Sequence, residues 1–213
     1  MQTMAVSAAA LLAMAAAGFA ESPEQKYVFG DARAGYTQVS ADSKYTKEKG
    51  WGFDLGSGAT TKGAAFDMVG PGKDHVGFFF SAKAEPGVYR VTVTLGGAAT
   101  ESVTMVKSET RRLMVEEVKA GAEQTVEKTF LVHVRVPQLP DGSVVRMKPR
   151  ENQPMLYVEW DTKLEKPFLE WDWDEKLTLE FSSKTTAAVR SLDIAPAGKH
   201  KTVYLVGDST MTD

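Results

Sequence analysis

The sequence predicts a mainly β protein, a two-sheet β-sandwich followed by the opening strand of an α/β domain. Three observations predict it. Between Lys26 and Ile194 the chain is a succession of short segments rich in Val, Thr, Phe and Tyr, separated by Gly, Pro, Asp and Lys clusters. No long amphipathic run of helical period with caps interrupts that stretch. After Ala195 the pattern changes to a nearly continuous apolar run, Thr202 to Val206, of the kind a strand buried on both faces presents.

In chain order, residues 1–20 read as a secretory signal peptide. They carry no charged side chain, nine alanines and an apolar run from Ala5 to Ala17 broken only by Ser7. Such a run is short of the ~20 residues that span a bilayer. Gly18-Phe19-Ala20 offers small residues on either side of Phe19 before a cut ahead of Glu21-Ser22-Pro23. The first four residues lack the usual Lys or Arg, which points to a weak leader or to a start further upstream. A buried alanine-rich helix is the plainer alternative.

The expected strands of the sandwich, residues 21–194, are Tyr27 to Phe29, Gly52 to Leu55, Val76 to Ser81, Tyr89 to Leu95, Val103 to Val106, Arg112 to Val118, Gln124 to Val136, Leu156 to Trp160, Leu177 to Ser182 and Val189 to Ile194. Alternation is clearest in Tyr89-Arg90-Val91-Thr92-Val93-Thr94-Leu95 and recurs in Val132 to Val136 and Leu177 to Phe181, so one face of each is expected to be wet. Glu85-Pro86-Gly87 and Leu139-Pro140-Asp141-Gly142 supply turn chemistry. Many short strands with such turns suit a sandwich. Ala195 to Lys201 is small, polar and turn-prone, and reads as a linker over 195–201.

Composition excludes several classes. The chain has 213 residues, 43% hydrophobic and 25% charged, enough for one sizeable core. With 25 basic and 28 acidic residues the net charge of −3 offers no broad attraction to phosphate backbones, so nucleic acid is not an expected partner. The absence of cysteine removes disulfides, thiolate nucleophiles and sulfur-based zinc sites, and suits a secreted or periplasmic protein stabilised by packing.

The chemistry lies at the end of the sequence. The apolar run enters Gly207-Asp208-Ser209-Thr210-Met211, and a Gly-x-Ser at the carboxyl end of a parallel strand lifts a hydroxyl to the edge where open α/β sheets bind ligands. Val203 to Met211 resembles the first signature block of the SGNH, or GDSL, hydrolases, in the form typical of rhamnogalacturonan acetylesterases. Upstream, Tyr27-Val28-Phe29-Gly30, Gly35 to Val39, Gly50-Trp51-Gly52-Phe53, Phe168 to Asp172 and Leu177 to Phe181 are similar to the galactose-binding-like sandwich that precedes the esterase domain in many bacterial members.

The resemblance implies that Ser209 is the nucleophile and one backbone oxyanion donor, supported by Gly207 and Asp208. It further implies an acetylated pectic polysaccharide as substrate, no cofactor, and no membrane span once the leader is removed. Residues 202–213 would begin the hydrolase domain, with the remaining oxyanion donors and the Asp-x-x-His block beyond Asp213. A serine without its base is a poor nucleophile, and each missing oxyanion donor costs roughly 3 kcal/mol, so these 213 residues alone are expected to be catalytically silent. Non-catalytic carbohydrate binding, or a purely structural sandwich, is the alternative.

His75, His133 and His200 all precede Ser209, and each has a plainer reading as strand or linker residue than as its base. Trp51, Trp171 and Trp173, with Trp160, Tyr36 and Tyr157, are candidates for a sugar-stacking platform or for core packing. Asp172 and Asp174 lie on one face of an extended Glu170–Glu175. They suit a glycosidase pair, a calcium site or, most simply, a solvated turn, so no metal ligand is assigned.

Overall fold

A computed structural model gives the architecture and describes residues 23–55, 58–62, 65–69, 76–109, 112–138, 141–143, 173–198, 200, 201 and 203. Among the described residues there are twelve strands and no helix: β1 (Gln25–Phe29), β2 (Thr37–Val39), β3 (Trp51–Asp54), β4 (Gly58–Lys62), β5 (Ala65–Val69), β6 (Val76–Lys83), β7 (Gly87–Gly96), β8 (Ser102–Ser108), β9 (Arg112–Ala120), β10 (Thr125–Val134), β11 (Lys176–Ser183) and β12 (Val189–Pro196). They form a galactose-binding-like β-sandwich. One sheet has the order β10-β7-β12-β1-β2, the other β3-β6-β11-β8-β9, and β4 with β5 makes a separate hairpin. Every pair is antiparallel except β1 with β2.

Period-two patterning decides which side of each strand meets the other sheet. On β7, Tyr89, Val91, Val93 and Leu95 are buried while Arg90 is exposed. The second sheet answers with Phe53 of β3, Phe78 and Phe80 of β6, and Leu177, Leu179 and Phe181 of β11. Aromatic rings join the layers. Across the layers Phe80 meets Tyr27 and Phe29 of β1 edge-on at centroid separations of 5.0 and 5.3 Å; within the second sheet Phe78 meets Phe181, tilted, at 5.0 Å and Phe53 edge-on at 5.3 Å. Edge-to-face contacts of this kind stabilise by about 0.5–1.5 kcal/mol beyond the burial itself.

Several expectations shift. The polar residues of β11 are not on a wet face: Thr178 is only 2% exposed and shares a 2.9 Å hydrogen bond with buried Ser81. β12 continues through Ala195 and Pro196, which pair with Arg90 and Tyr89, so the sandwich runs two residues past 194 and into the stretch read as linker. Proline is tolerated there because it ends the strand. β2, β4 and β5 were not foreseen, and Leu156 to Trp160 lies outside the described residues. Among the described residues no helix is long and apolar enough to cross a membrane.

The entry to β3 depends on one glycine. Gly52 sits at φ +140°, and a Cβ there would collide with the Ser43 carbonyl and with Lys44 and Tyr45 backbone atoms. That close approach lets Phe53 N donate to Ser43 O at 2.7 Å and Tyr45 N donate to Phe53 O at 2.8 Å. Gly52→Ala is therefore expected to cost about 2 kcal/mol, read as a lower midpoint in urea with an unchanged slope.

Candidate functional site

Strand register defines one pole of the sandwich. The starts of β1, β3, β7 and β11 and the ends of β6, β10 and β12 meet there, as the pairs Gln25↔Ile194, Trp51↔Ala82, Lys176↔Lys83, Gly87↔Val134 and Tyr89↔Pro196 require. Backbone hydrogen bonds stitch this end together: Lys83 N to Gly50 O at 2.6 Å, Ala84 N to Glu175 O at 3.0 Å and Ala197 N to Val88 O at 2.8 Å. After Ala197 the chain leaves the sandwich at this pole. His200 bonds back to Ala197 O through Nε2 at 2.8 Å, and Val203 is 80% exposed.

Two of the tryptophans singled out in the sequence lie at this pole, both half-buried. Trp51 packs against the core and lies 5.6 Å from Tyr27, with the Lys49 ammonium 4.3 Å from its centroid. Trp173 has the Arg135 guanidinium 5.3 Å from its centroid. Each indole therefore engages a cation, an arrangement worth about 0.5–1 kcal/mol near the surface. Trp171, Gly207, Asp208 and Ser209 lie outside the described residues, as do Trp160, Tyr157, His75 and Asp172.

Asp174 is not on a strand but in the bend at residues 173–175, and it is not a freely solvated turn residue. Its carboxylate sits 3.2 Å from Lys176 Nζ, while Asp54 Oδ2 accepts a shorter hydrogen bond from the same ammonium at 2.8 Å. Tyr45 places its ring 5.1 Å from that nitrogen. Burial pushes the Asp54 pKa up, but the bond and charge from Lys176, the Leu55 N–H and Ser81 outweigh it and hold the group below the ordinary Asp range. For Asp174 burial wins, with the neighbouring Asp54 charge adding to it, and the pKa is raised. Burial would lower the Lys176 pKa, yet the two carboxylates together raise it. The lysine thus serves mainly Asp54.

A second buried group was missed in the sequence. Glu109, 2% exposed at φ +49°, donates its N–H to Thr178 O at 2.9 Å and accepts the Thr178 N–H on Oε1 at 3.1 Å, pinning the β8–β9 turn to β11. Tyr36, one of the platform candidates, donates its hydroxyl to Asp193 Oδ2 at 3.0 Å. His133 sits on β10 opposite Val88, and burial and then the Arg112 charge lower its pKa. Nothing in the spacing of these residues announces the pairs; Asp54 and Lys176 are 122 positions apart.

Against known proteins, the front half of the sandwich finds a family model. Residues 25–114 match the one described as beta-agarase/YXIM esterase-like, galactose-binding domain-like. No curated protein matches the chain. Among solved structures, the chain is similar to protein YxiM of Bacillus subtilis, at 22% identity and a TM-score of 0.48 over 82% of this chain and 40% of that one. It is also similar to the GH26-CBM35 β-(1,4)-mannanase of Podospora anserina, at 12% identity and a TM-score of 0.39 over 84% of this chain and 28% of that one. A calcium-binding mutant of β-glucuronidase 2 from Bacteroides uniformis is similar at 10% identity and a TM-score of 0.44, over 82% of this chain and 18% of that one. This chain thus spans well under two thirds of each of those proteins.

Proposed function

We propose that the chain belongs to an exported carbohydrate esterase of the SGNH type, in which the sandwich is the accessory module and Ser209 the nucleophile that removes acetyl groups from pectic polysaccharide. The observation that carries this reading is the match of residues 25–114 to a galactose-binding-like model of esterase-like and agarase proteins, in the same chain as a downstream Gly207-Asp208-Ser209. Among the described residues, the shared core of the two sheets supports a module that folds around its own aromatic centre. In the reaction, the Ser209 hydroxyl adds to the acetyl carbonyl as a histidine base takes its proton, the histidine returns that proton to the leaving sugar oxygen, and water, deprotonated by the same histidine, then frees acetate from the acyl-enzyme and restores the serine. The Ser209 backbone N–H would donate to the oxyanion.

A fluorophosphonate probe applied to the protein expressed from its full reading frame tests the activated serine. Its Ser209 Oγ–phosphorus bond forms as fluoride leaves, and tryptic mass mapping is expected to place the adduct on the peptide holding Ser209. Labelling at a different serine, or none, would remove Ser209 from the nucleophile's role.

A further inference from the structure

We propose that the outward face of the β10-β7-β12-β1-β2 sheet, with Tyr36 and Asp193 at its centre, binds a hydroxyl-rich polysaccharide strand that carries no dense charge. The proposal rests on the reading of the sandwich as a carbohydrate module and adds to it a location and the residues that make contact.

Register builds the face. Lys26, Asp193, Thr92 and Thr129 are successive cross-strand neighbours in one row, and Ala195, Arg90 and Leu131 form the next. Across five strands the face is about 19 Å wide. Arg90, Thr129 and Leu131 are exposed, whereas Ser191 on β12 is 5% exposed; on the corresponding side of the other sheet Ser81 is 0%, Thr178 2% and Ser182 6% exposed, and solvent reaches Lys107 and Leu113 toward β9. Solvent thus reaches this face along β7 and β10.

The groups on it suit hydroxyls. Thr92 and Thr129 share one hydrogen bond of 2.9 Å, and Ser191 donates to Thr94 at 2.9 Å. The Thr92–Thr129 pair, with Thr129 exposed, uses one of its two hydroxyl protons and leaves the other to be donated outward, whereas Ser191 is only 5% exposed. Leu131, 42% exposed, adds an apolar patch for the C–H side of a sugar ring. Charges on and beside the face are mixed, with Lys26, Arg33, Arg90 and Arg190 against Glu24, Asp193 and Glu127, so no strong field favours a polyanion.

Tyr36 is the anchor. It precedes β2, yet its hydroxyl reaches Asp193 on β12, so the ring lies across β1. The Arg33 guanidinium sits 4.2 Å from the ring centroid on an exposed side chain, and the Lys26 ammonium, paired with Glu24 at 3.2 Å, lies 6.0 Å away. Asp193 Oδ1 is enclosed and has no hydrogen-bond partner. Swinging Arg33 and Lys26 aside on their flexible stems opens the ring face beside this carboxylate. A sugar ring stacked on Tyr36 then donates a hydroxyl to an acceptor that is costly to leave unpaired.

Native affinity electrophoresis of the chain through gels containing galactan, agarose or polygalacturonate tests this, with Tyr36→Ala, Arg90→Ala and Trp173→Ala checked for wild-type circular dichroism. Retardation by galactan or agarose is expected, with Kd weakened about tenfold by Tyr36→Ala and about threefold by Arg90→Ala, and unchanged by Trp173→Ala. Because Arg90 is exposed, its variant reads the face even if Tyr36→Ala unfolds. Retardation that survives both Tyr36→Ala and Arg90→Ala, that is lost only with Trp173→Ala, or that occurs only with polygalacturonate overturns this face as the site while leaving a carbohydrate module standing. No retardation of the wild-type chain in any gel overturns the module reading, and this proposal with it.

Discussion

Phe80→Ala is expected to destabilise the sandwich by about 4 kcal/mol and to lower its Tm by roughly 8–16 °C. Phe80 is 1% exposed at the centre of the core. Its ring touches Tyr27 and Phe29 from the opposite sheet and lies 6.1 Å from Phe53 beside it, so truncation opens a void that both layers line. β-Sheets relax poorly into such a void because hydrogen-bonded neighbours hold each strand; here β6 is held by β3 on one side and β11 on the other. Differential scanning calorimetry measures the effect. A loss under 1 kcal/mol would mean that the two sheets do not pack through this ring.

Lys176→Met is expected to cost about 2–3 kcal/mol near neutral pH. It strips the shared cation from Asp54 and Asp174, and breaking a fully buried pair costs about 3–5 kcal/mol. The value here is smaller because the Lys176, Asp54 and Asp174 side chains keep 19%, 18% and 22% of their surface in water. The pH dependence has a definite sign. The folded-state pKa of Lys176 lies above its ordinary value of 10.5, so its stabilisation is fully present below that value and is lost as pH rises through the raised one. Asp54, depressed, stabilises above the ordinary Asp range, and that contribution disappears as pH falls through its lowered pKa. Asp174 is raised and works in the opposite direction, its cost relieved by acid. Urea midpoints of wild type and variant should therefore differ most between those limits and converge in strong alkali. A constant difference across that range would contradict the assignment.

What the sequence made legible follows from what period-two patterning encodes. The alternation in Tyr89 to Leu95 says which side chains face the core, and all four apolar residues of that run are buried. The same alternation in Leu177 to Phe181 says nothing about whether the opposite side meets water. β11 is the central strand of its sheet, and Thr178 is enclosed with Ser81 and held by Glu109. Short strands are legible only where they are rich in apolar and aromatic residues, as in Tyr27 to Phe29 and in Phe53; β2 contributes only Val39 to the core and carries no such signal. Pro196 looked like linker because proline breaks ladders, yet at the last position of β12 there is little ladder left to break.

A candidate site is legible in sequence only where its chemistry is local. Gly207-Asp208-Ser209 can be read from adjacent residues, whereas Asp54 with Lys176 and Tyr36 with Asp193 exist only after strands from opposite ends of the chain are brought into one sheet. Trp51 and Trp173 were visible as residues but not as partners of Lys49 and Arg135. Lysine and arginine are too common in strands and turns for such pairings to be singled out.

Acetate release from acetylated rhamnogalacturonan tests the central claim most directly, using the protein expressed from its full reading frame and its Ser209→Ala variant. The account predicts steady release by the wild type and a loss of about three or more powers of ten in the variant, with Tm unchanged. Release that persists in Ser209→Ala, or a wild type that frees no acetate, would contradict it.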